Sequence, residues 1–477
     1  MKNNALPKWV RYRAAAYLRG RGLSLGVPSL IDGPMFPILA HDGTAYNINI
    51  DAKPTTTVVN NDLSVFANGV FDYAVVVADH PKQAELERKL TPTGHLVIIG
   101  EGRPVVGGWI HKDSTTHDDL TVNIYKRTTG DKITKRVASD KPKACIARYG
   151  AVGDALQLTP LIHQLYDLGY EVTLNVSPYT EEIYKYNPYI KNIVTQERNC
   201  IPNHDLGEYW DYWRKHYDRY INLSESIEGK LLKVEGRIDF YTPAKWRREV
   251  CNVNYHDQHV KLAGLNECKY ELPEYYYAKW EEKELRNELK FFKDKFVIAW
   301  GLRGSSHHKQ YPFYPELVHD WLEDHPDSYV LQLGGPESQN LQVDHARAIP
   351  LAGVWPLRQS LLVTKFVNLV IGPETALTNA ASCWDTPKIV LLSHSSDNNL
   401  TKYWKNVINL KPDTDMAPCY PCHQLHYNID SCPLVQADIN GRQIPPVPVC
   451  TTAIKPETIY DSIEQVYNQW KKVNKGA

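Results

Sequence analysis

Short apolar runs alternate with amphipathic stretches from residue 144 onward, and this alternation predicts repeated strand and helix units. ACIARYG (144–150) and EVTLNV (171–176) are runs of the kind that form buried strands. Between them the apolar positions mostly keep helical spacing: Leu156, Leu158, Leu161, Ile162, Leu165 and Leu168. A strand, a helix and a strand joined by short links predict a βαβ unit in a parallel sheet.

The same pattern returns after residue 295 and predicts a second α/β half. Strands are predicted at 295–301, 328–335, 366–372 and 387–393, and helices at 314–325, 374–384 and 455–472. A charged segment at 279–292, which is a helix or a linker, joins the two halves. Two such halves place a ligand cleft at the carboxyl ends of their strands.

The N-terminal part has a weaker pattern. Residues 70–102 predict a strand, a helix, a turn and a strand, and the polar segment 126–143 predicts a linker. We therefore predict an α/β protein in which two Rossmann-like halves follow an extra N-terminal α/β domain. The predicted segments are a domain at 1–125, the linker, halves at 144–278 and 295–454, a connecting helix at 279–294 and a closing helix at 455–477.

Composition narrows the classes of function. The 477 residues carry 54 Lys and Arg against 55 Asp and Glu, so the formal net charge is -1. A protein that binds nucleic acid mainly by charge is expected to be basic. The chain has no apolar run of the ~18 residues that span a bilayer, and its N-terminus lacks the apolar stretch of a signal peptide. We expect a cytoplasmic protein; peripheral membrane attachment, or an infected host cell for a phage-encoded protein, stays open.

The first candidate motif is RYGAVGDALQLTP (148–160), in which a strand meets the next helix through a glycine-containing turn. Gly150 and Gly153 would let an acceptor approach the backbone, and Asp154 would face that acceptor as a general base. A plain helix N-cap is the alternative role for Asp154, because aspartate is favoured at that position.

The second motif is GLRGSSHHKQYP (301–312), which follows a predicted strand of the second half. Gly304, Ser305 and Ser306 can offer N–H and hydroxyl donors to phosphate oxygens. Lys309 can place its charge on a diphosphate. A solvated loop with an ordinary lysine is the alternative interpretation.

The third motif is IGPETALTNAASCWDTP (371–387), in which a strand runs into a helix N-terminus. Free N–H groups and the helix dipole favour an anion there. Thr375 could bond a donor phosphate, and Glu374 could bond a ribose or sugar hydroxyl. The candidate donor-binding residues of this motif are Glu374, Thr375, Ala376, Thr378 and Asn379. A capped helix in a parallel sheet is the alternative.

Together the three motifs resemble glycosyltransferase family nine, the ADP-heptose:lipopolysaccharide heptosyltransferase family. RYGAVGDALQLTP fits the family motif R-x-G-A-x-G-D-x-x-x-x-T-P, while VLQLGGPES (330–338) and TTAIKPETIYDSIEQV (451–466) match its second half and closing helix. The resemblance spans roughly 144–470. It implies a GT-B fold and an inverting transfer from a nucleotide-sugar donor, without a metal, to a glycan such as lipopolysaccharide. It also implies that Asp154 deprotonates the acceptor while Lys309 and loop 304–306 hold the donor diphosphate.

The donor side departs from the family pattern. The third family motif usually reads D-[ST]-G-x-x-H, whereas this chain has Glu374, Ala376 and Asn379 at the Asp, Gly and His positions. The added methylene and methyl crowd the approach of a phosphate, and Asn379 can still donate one hydrogen bond. We therefore expect a nucleotide-sugar donor other than ADP-heptose.

Residues 19–34 and 70–102 together resemble a class I S-adenosylmethionine-dependent methyltransferase, in which a late strand follows a turn like TPTGH. The loop after the first strand reads LGVPS, with Pro28 where that family has glycine. A backbone that contains proline cannot approach a cofactor as closely as glycine does. We favour a degenerate domain kept for packing or partner contact, with cofactor binding as the alternative.

Four of the nine cysteines cluster late in the chain: Cys419, Cys422, Cys432 and Cys450. A CxxC pair with two further cysteines can hold a structural tetrahedral zinc, for which His423 and His426 are substitute ligands. Structural packing and a redox-labile pair are equal alternatives.

Three functions therefore stay open. The leading hypothesis is a glycosyltransferase that acts on a surface glycan. The second is a phage-type glycosyltransferase that modifies hydroxylated bases in DNA, with KWVRYR (8–13) and KWRREV (245–250) as phosphate contacts. The third is an inactive scaffold that binds nucleotide sugars. The sequence leaves the sugar, the nucleotide and the oligomeric state undetermined.

Overall fold

The computed structural model describes residues 8–15, 17, 22–25, 46–47, 57–58, 71–78, 83–104, 106, 109–117, 119–127, 140–196, 201, 203–439 and 441–474. The loop with Pro28 and most of the predicted linker lie outside the described residues. The chain divides into two compact units. The first comprises Met1–Ala147, Gly169–Glu181 and Lys191–Asn222, and the second comprises Arg148–Leu168, Glu182–Ile190 and Leu223–Ala477.

Within the described residues the strands are, in chain order, β1 (Gly22–Leu25), β2 (Tyr46–Asn47), β3 (Thr57–Val58), β4 (Phe71–Val77), β5 (Leu90–Gly100), β6 (Trp109–His117), β7 (Leu120–Arg127), β8 (Lys143–Arg148), β9 (Glu171–Val176), β10 (Ile190–Thr195), β11 (Arg219–Asn222), β12 (Lys233–Val234), β13 (Phe296–Gly301), β14 (Ser328–Leu333), β15 (Ala348–Pro350), β16 (Leu369–Pro373), β17 (Lys388–Leu391), β18 (Val407–Leu410), β19 (Gln424–Leu425), β20 (Val435–Ile439) and β21 (Arg442–Pro448).

The α-helices are α1 (Lys8–Ala15), α2 (Gln83–Lys89), α3 (Val152–Gln157), α4 (Thr159–Asp167), α5 (Glu181–Tyr184), α6 (Leu206–Arg214), α7 (Ala244–Val250), α8 (Tyr255–Leu262), α9 (Lys279–Glu288), α10 (Tyr314–Asp324), α11 (Leu357–Leu362), α12 (Ala376–Ala381), α13 (Asp397–Leu400), α14 (Val449–Thr452) and α15 (Pro456–Asn474). No helix in the described part of the chain combines the length and apolar character needed to cross a bilayer.

The first unit contains a seven-stranded sheet with the order β3-β2-β1-β4-β5-β7-β6. Its strands pair in parallel except β7, which is antiparallel to β5 and β6. Side chains alternate between the two faces of a strand, so Val75 packs with Val10 of α1 and Val76 with Leu86 of α2. This sheet confirms the predicted α/β character of the N-terminal part, and the predicted domain bounds of 1–125 stay a prediction. The predicted TPTGH turn at 91–95 lies within β5, where the pairing with β4 skips from Leu90 to His95 and the strand is irregular.

A second sheet of the first unit has the order β10-β9-β8-β11. β8 pairs in parallel with β11, with Ala144 opposite Arg219 and Ala147 opposite Asn222. β8 and β9 are neighbours, as the βαβ pattern predicts. β8 is buried over five of its six residues, which agrees with its continuous apolar sequence.

The second unit is built on a parallel sheet with the order β15-β14-β13-β16-β17-β18. The chain order reverses between β13 and β16, which is the arrangement of a doubly wound Rossmann sheet. Ligands bind such sheets at the carboxyl ends of the two strands that flank the reversal. The second Rossmann-like half is therefore confirmed, and its switch point lies where β13 and β16 end.

Apolar side chains pack the closing helix α15 against this sheet. Pro456 begins the helix, where its missing N–H is not needed. Ile459, Ile463, Val466 and Tyr467 recur at helical spacing and are buried in the same core as Phe296 of β13.

Two predicted helices differ in the structure. The helix predicted after the RYG turn is broken at Leu158 into α3 and α4, because Pro160 in the first turn of α4 has no N–H with which to continue α3. The helix predicted at 374–384 is reduced to α12, because Thr375 precedes it in an extended conformation with φ -131° and ψ 175°.

Phe296→Ala tests the core of the second unit. Phe296 is fully buried against Trp321, Tyr467 and Trp470, so we expect the free energy of unfolding to fall by about 3–5 kcal/mol. Phe291→Ala is the matched control, because Phe291 is 69% exposed, and a change below about 0.5 kcal/mol is expected. Chemical denaturation followed by tryptophan fluorescence measures both, and equal losses would contradict this core.

Candidate active site

A buried arginine ends β8 and organises the predicted acceptor motif. The Arg148 side chain is 2% exposed, and its Nη1 and Nη2 each donate to one oxygen of Glu228 at 3.0 Å. Nη2 also lies 3.0 Å from Oδ1 of Asp154. Burial by itself lowers the pKa of Arg148, but the charges of Asp154 and Glu228 outweigh it and raise the pKa above its ordinary value. One cation thus holds two carboxylates.

Asp154 is the third residue of α3, and Ala151 is the N-cap. Its Oδ2 accepts the N–H of Ala151 at 2.8 Å, while its Oδ1 faces Arg148. Asp154 is therefore not the N-cap residue itself, but it caps the start of α3 from the third helical position, so the capping alternative holds in this form. The carboxylate is held at both oxygens, and 19% of the side chain stays exposed.

The two motif glycines allow close approaches that a side chain would block. A Cβ at Gly150 would lie 2.6 Å from both Cζ of Arg148 and Cβ of Asp154. A Cβ at Gly153 would lie 3.0 Å from Nδ2 of Asn379. Gly150 therefore permits the ion pair, and Gly153 permits α3 to pack against α12.

The first and third motifs are joined by a buried amide bridge. Gln157 Nε2 donates to Oδ1 of Asn379 at 2.7 Å, and Asn379 Nδ2 donates to the carbonyl of Thr375 at 2.8 Å. Both ends of the Asn379 amide thus have partners within the protein. A donor-binding role for Asn379 stays a prediction.

The second motif places Lys309 close to both of the other motifs. The Lys309 carbonyl accepts the Gly304 N–H at 2.8 Å, and a Cβ at Gly304 would lie 2.7 Å from Cδ of Lys309 and 3.1 Å from Cγ2 of Thr375. Burial lowers the pKa of Lys309, whereas the nearby charges of Glu374 and Asp154 act to raise it. Lys309 therefore lies within electrostatic reach of both Asp154 and Glu374.

The two serines of this loop differ. Ser305 is exposed, whereas Ser306 is 3% exposed and its hydroxyl is 3.1 Å from Nε2 of His308. Of the two hydroxyls, only that of Ser305 is open to a ligand in this conformation.

Glu374 follows β16 and is directed into the protein. Its Oε1 accepts the N–H groups of Ser393 and Ser395 at 3.1 and 3.2 Å, and its Oε2 contacts Nδ1 of His394. Burial raises the pKa of Glu374, and the charge of Lys309 opposes that shift. This carboxylate thus holds the loop after β17, and binding of a donor hydroxyl by Glu374 stays a prediction.

The start of α12 leaves one hydroxyl without a partner. Thr378 accepts the Thr375 N–H at 3.1 Å and donates to the carbonyl of Pro373 or of Thr375, so it is used internally. The Thr375 hydroxyl is buried and has no hydrogen-bond partner within the described residues. Ala376 is the first residue of α12, and its methyl side chain offers no hydrogen-bonding group. Thr375 is therefore the strongest hydrogen-bonding candidate of this motif.

Sequence reasoning missed several residues of this cluster. Arg148 stands inside the first motif and could have been noticed as a cation at the end of a buried strand. His394 lies in the polar run that follows β17, at the same sheet edge as Glu374. Glu228 carries no comparable signal, because only folding brings it to Arg148.

No family model matches the sequence, and no curated protein matches it. Among solved structures it is similar to a glycosyltransferase family 9 protein from Veillonella parvula DSM 2008, with 13% identity, a TM-score of 0.50 and coverage of 70% of this chain and 100% of that chain. The chain has the fold of glycosyltransferase family 9. It is also similar to E. coli ADP-heptose LPS heptosyltransferase II, with 12% identity, a TM-score of 0.47 and coverage of 69% and 99%.

The late cysteines are free thiols in this GT-B chain. Burial raises the pKa of Cys422 to about 12 and that of Cys450 well above its usual range, and Cys450 packs against Ala417 and Ala453. Among the described residues, no group of three or more His, Cys, Asp and Glu side chains is arranged to hold a metal ion. His426 Nδ1 is 3.0 Å from the Ser431 hydroxyl. A structural zinc site at Cys419, Cys422, Cys432 and Cys450 therefore gains no support from the described residues. For Cys450, the structure favours the packing interpretation.

Acid sensitivity of the second unit tests the burial of His259. Burial, with the charge of Arg148 next in size, lowers the His259 pKa to about 3, against about 6.5 for an unfolded histidine. Between these values the unfolded chain binds a proton that the folded chain does not, so stability falls as pH drops. We expect His259→Gln to weaken this pH dependence, measured by denaturant unfolding at pH 7.5 and pH 5.

The exposed residue His319 supplies the control, because His319→Gln also removes one histidine from the chain. An identical pH dependence in the wild type and His259→Gln would contradict a neutral, buried His259.

Proposed function

We propose that this chain is a glycosyltransferase that moves a sugar from a nucleotide-sugar donor to an acceptor hydroxyl, by inversion and without a catalytic metal. The observation that carries the proposal is the position of Lys309, which lies beside Gly304 near Thr375 and within electrostatic reach of Asp154, close to the switch point of the second sheet. The likeness in fold to glycosyltransferase family 9 supports the same reaction class.

Asp154 is the proposed general base. Its carboxylate is held by Ala151 and Arg148 and keeps an exposed edge, so an acceptor hydroxyl can approach it. The acceptor oxygen loses its proton to Asp154 as it forms a bond to the anomeric carbon of the donor. Displacement from the side opposite the nucleotide inverts the configuration at that carbon.

The leaving group is a nucleoside diphosphate, to which the breaking glycosidic bond gives its electron pair. Lys309 and Ser305 are the proposed diphosphate contacts, on a loop whose Gly304 N–H is already bonded to the Lys309 carbonyl. The Thr375 hydroxyl is the proposed further donor. Fixed cations and N–H groups aimed at developing charge stabilise a transition state, which is the work that Mg²⁺ performs elsewhere.

The donor and acceptor are proposed only by class. Glu374, Ala376 and Asn379 alter the three fixed positions of the family donor motif, so we propose a nucleotide sugar other than ADP-heptose. The proposed acceptor is a glycan of the lipopolysaccharide type. Neither the DNA-modifying alternative nor the inactive scaffold is favoured by a specific contact, and the next experiment separates enzyme from scaffold.

Asp154→Asn tests the general base. We expect turnover of the nucleotide sugar to fall by about 10²–10⁴-fold, because the amide cannot accept the acceptor proton. A screen of ADP-, UDP- and GDP-sugars with the wild type identifies the donor, and released nucleotide measures the rate. Asp344→Asn removes an exposed carboxylate elsewhere and should leave the rate unchanged. Full activity of Asp154→Asn would remove Asp154 from this role, and no turnover of any donor would favour the scaffold.

Chelation and product stereochemistry test the rest of the mechanism. Because Lys309 supplies the charge at the diphosphate, we expect turnover to persist after dialysis against EDTA. NMR of the product should show the anomeric configuration opposite to that of the donor. Loss of activity that Mg²⁺ or Mn²⁺ restores would contradict metal independence, and retained configuration would contradict the single displacement.

A further inference from the structure

The first unit contains a cavity of about 550 Å³ that the proposed transfer reaction does not use. It is lined by residues of α1, β5, β6, β7 and β10, by the start of β8 and β9, and by residues at the end of α6. Its volume falls within the range of small-molecule sites. Lys143, a lining residue, is the first residue of β8, whereas the candidate active site begins at Arg148, the last residue of that strand.

The charged side chains that line this cavity are mostly cationic. Five are lysine or arginine and three are acidic: Arg13, Lys112, Lys126, Lys143 and Lys191 against Asp113, Glu171 and Glu181. The excess is local, because the whole chain has a formal net charge of -1. A concave site with an excess of positive charge concentrates anions.

Two of the five cations are already neutralised. Arg13 contacts Asp113, whose carboxylate also accepts the Tyr17 hydroxyl at 2.6 Å. Lys191 lies 3.6 Å from Glu171. Arg13 and Lys191 therefore contribute little uncompensated positive charge to the cavity.

Lys126 and Lys143 carry much of that remaining charge. Lys126 lies near the end of β7, opposite His95 of β5, and both residues line the cavity. Neither lysine forms an ion pair with an acid in the part of the chain that the structure describes. An anionic ligand would therefore supply the counter-charge that the protein does not.

Aromatic side chains form another part of the lining. Trp213 is 2% exposed, and the Arg13 guanidinium lies 5.3 Å from the centroid of its ring. Tyr217 and His216 lie nearby in the chain, and burial lowers the pKa of His216. Because Trp213 is buried beneath Arg13, His216 and Tyr217 are the aromatic side chains that a sugar ring or a base can contact.

We propose that this cavity binds a small phosphorylated ligand, in which a phosphate ester is carried on a sugar or nucleotide ring. The phosphate lies at Lys126 and Lys143, and the ring lies along the side of the cavity that His216 and Tyr217 line. Phosphate esters of a free sugar and of a nucleotide share this chemistry, and the probes below distinguish them.

Calorimetric titration of the full chain tests the site with AMP, glucose 6-phosphate and inorganic phosphate as probes. Because AMP can also bind at the candidate active site, the titration uses the Lys309→Met variant. We expect one of the two organic phosphates to bind more tightly than inorganic phosphate. The double variant Lys126→Gln with Lys143→Gln should weaken that binding by about tenfold or more, since hydrogen bonds to charged groups are lost.

Two matched variants complete the test. Lys293→Gln removes an exposed lysine of the second unit and should leave the dissociation constant unchanged. Lys126→Arg with Lys143→Arg keeps the charge and should retain binding, which separates charge from folding. The proposal is overturned if no organic phosphate binds, if inorganic phosphate binds equally well, or if the glutamine variants bind as the Lys309→Met protein does. None of these results bears on turnover at Asp154.

Discussion

The buried guanidinium of Arg148 is the interaction on which the candidate site depends. An arginine cannot lose its proton in a protein, so at 2% exposure it must be paired. Glu228 satisfies it with two hydrogen bonds, and Asp154 takes the remaining direction. Removing either acid would leave a buried charge only partly compensated. The position of the proposed base is therefore fixed by the electrostatic requirement of its neighbour.

The proposed donor side differs, because the polar groups of Glu374 and Asn379 are hydrogen-bonded within the protein. The Glu374 carboxylate accepts hydrogen bonds from the loop after β17, and the Asn379 amide is hydrogen-bonded to Gln157 and Thr375. Two of the three changed residues of this motif, Glu374 and Asn379, thus have partners within the protein. Lys309 remains the charged group that faces both motifs, which concentrates the proposed leaving-group stabilisation in one side chain.

Much of this architecture could be predicted from the sequence. Apolar runs such as that of β13 and the spacing of Ile459, Ile463 and Val466 depend on burial, which local sequence records directly. Glycines mark close approaches, so Gly150 and Gly153 pointed to the right turn. Element ends were less predictable: the break before Pro160 depends on how one helix ends and the next begins.

The sequence alone therefore determined the α/β class, the order of the elements and three motifs that each follow a strand, because these properties depend on neighbours in the chain. Only the tertiary structure decided which motif residues meet. Glu228 reaches Arg148, and Gln157 reaches Asn379, across 80 and 222 positions of sequence. Such pairs are set by packing, since a carboxylate or an amide in the sequence gives no indication of the buried group that it will have to satisfy.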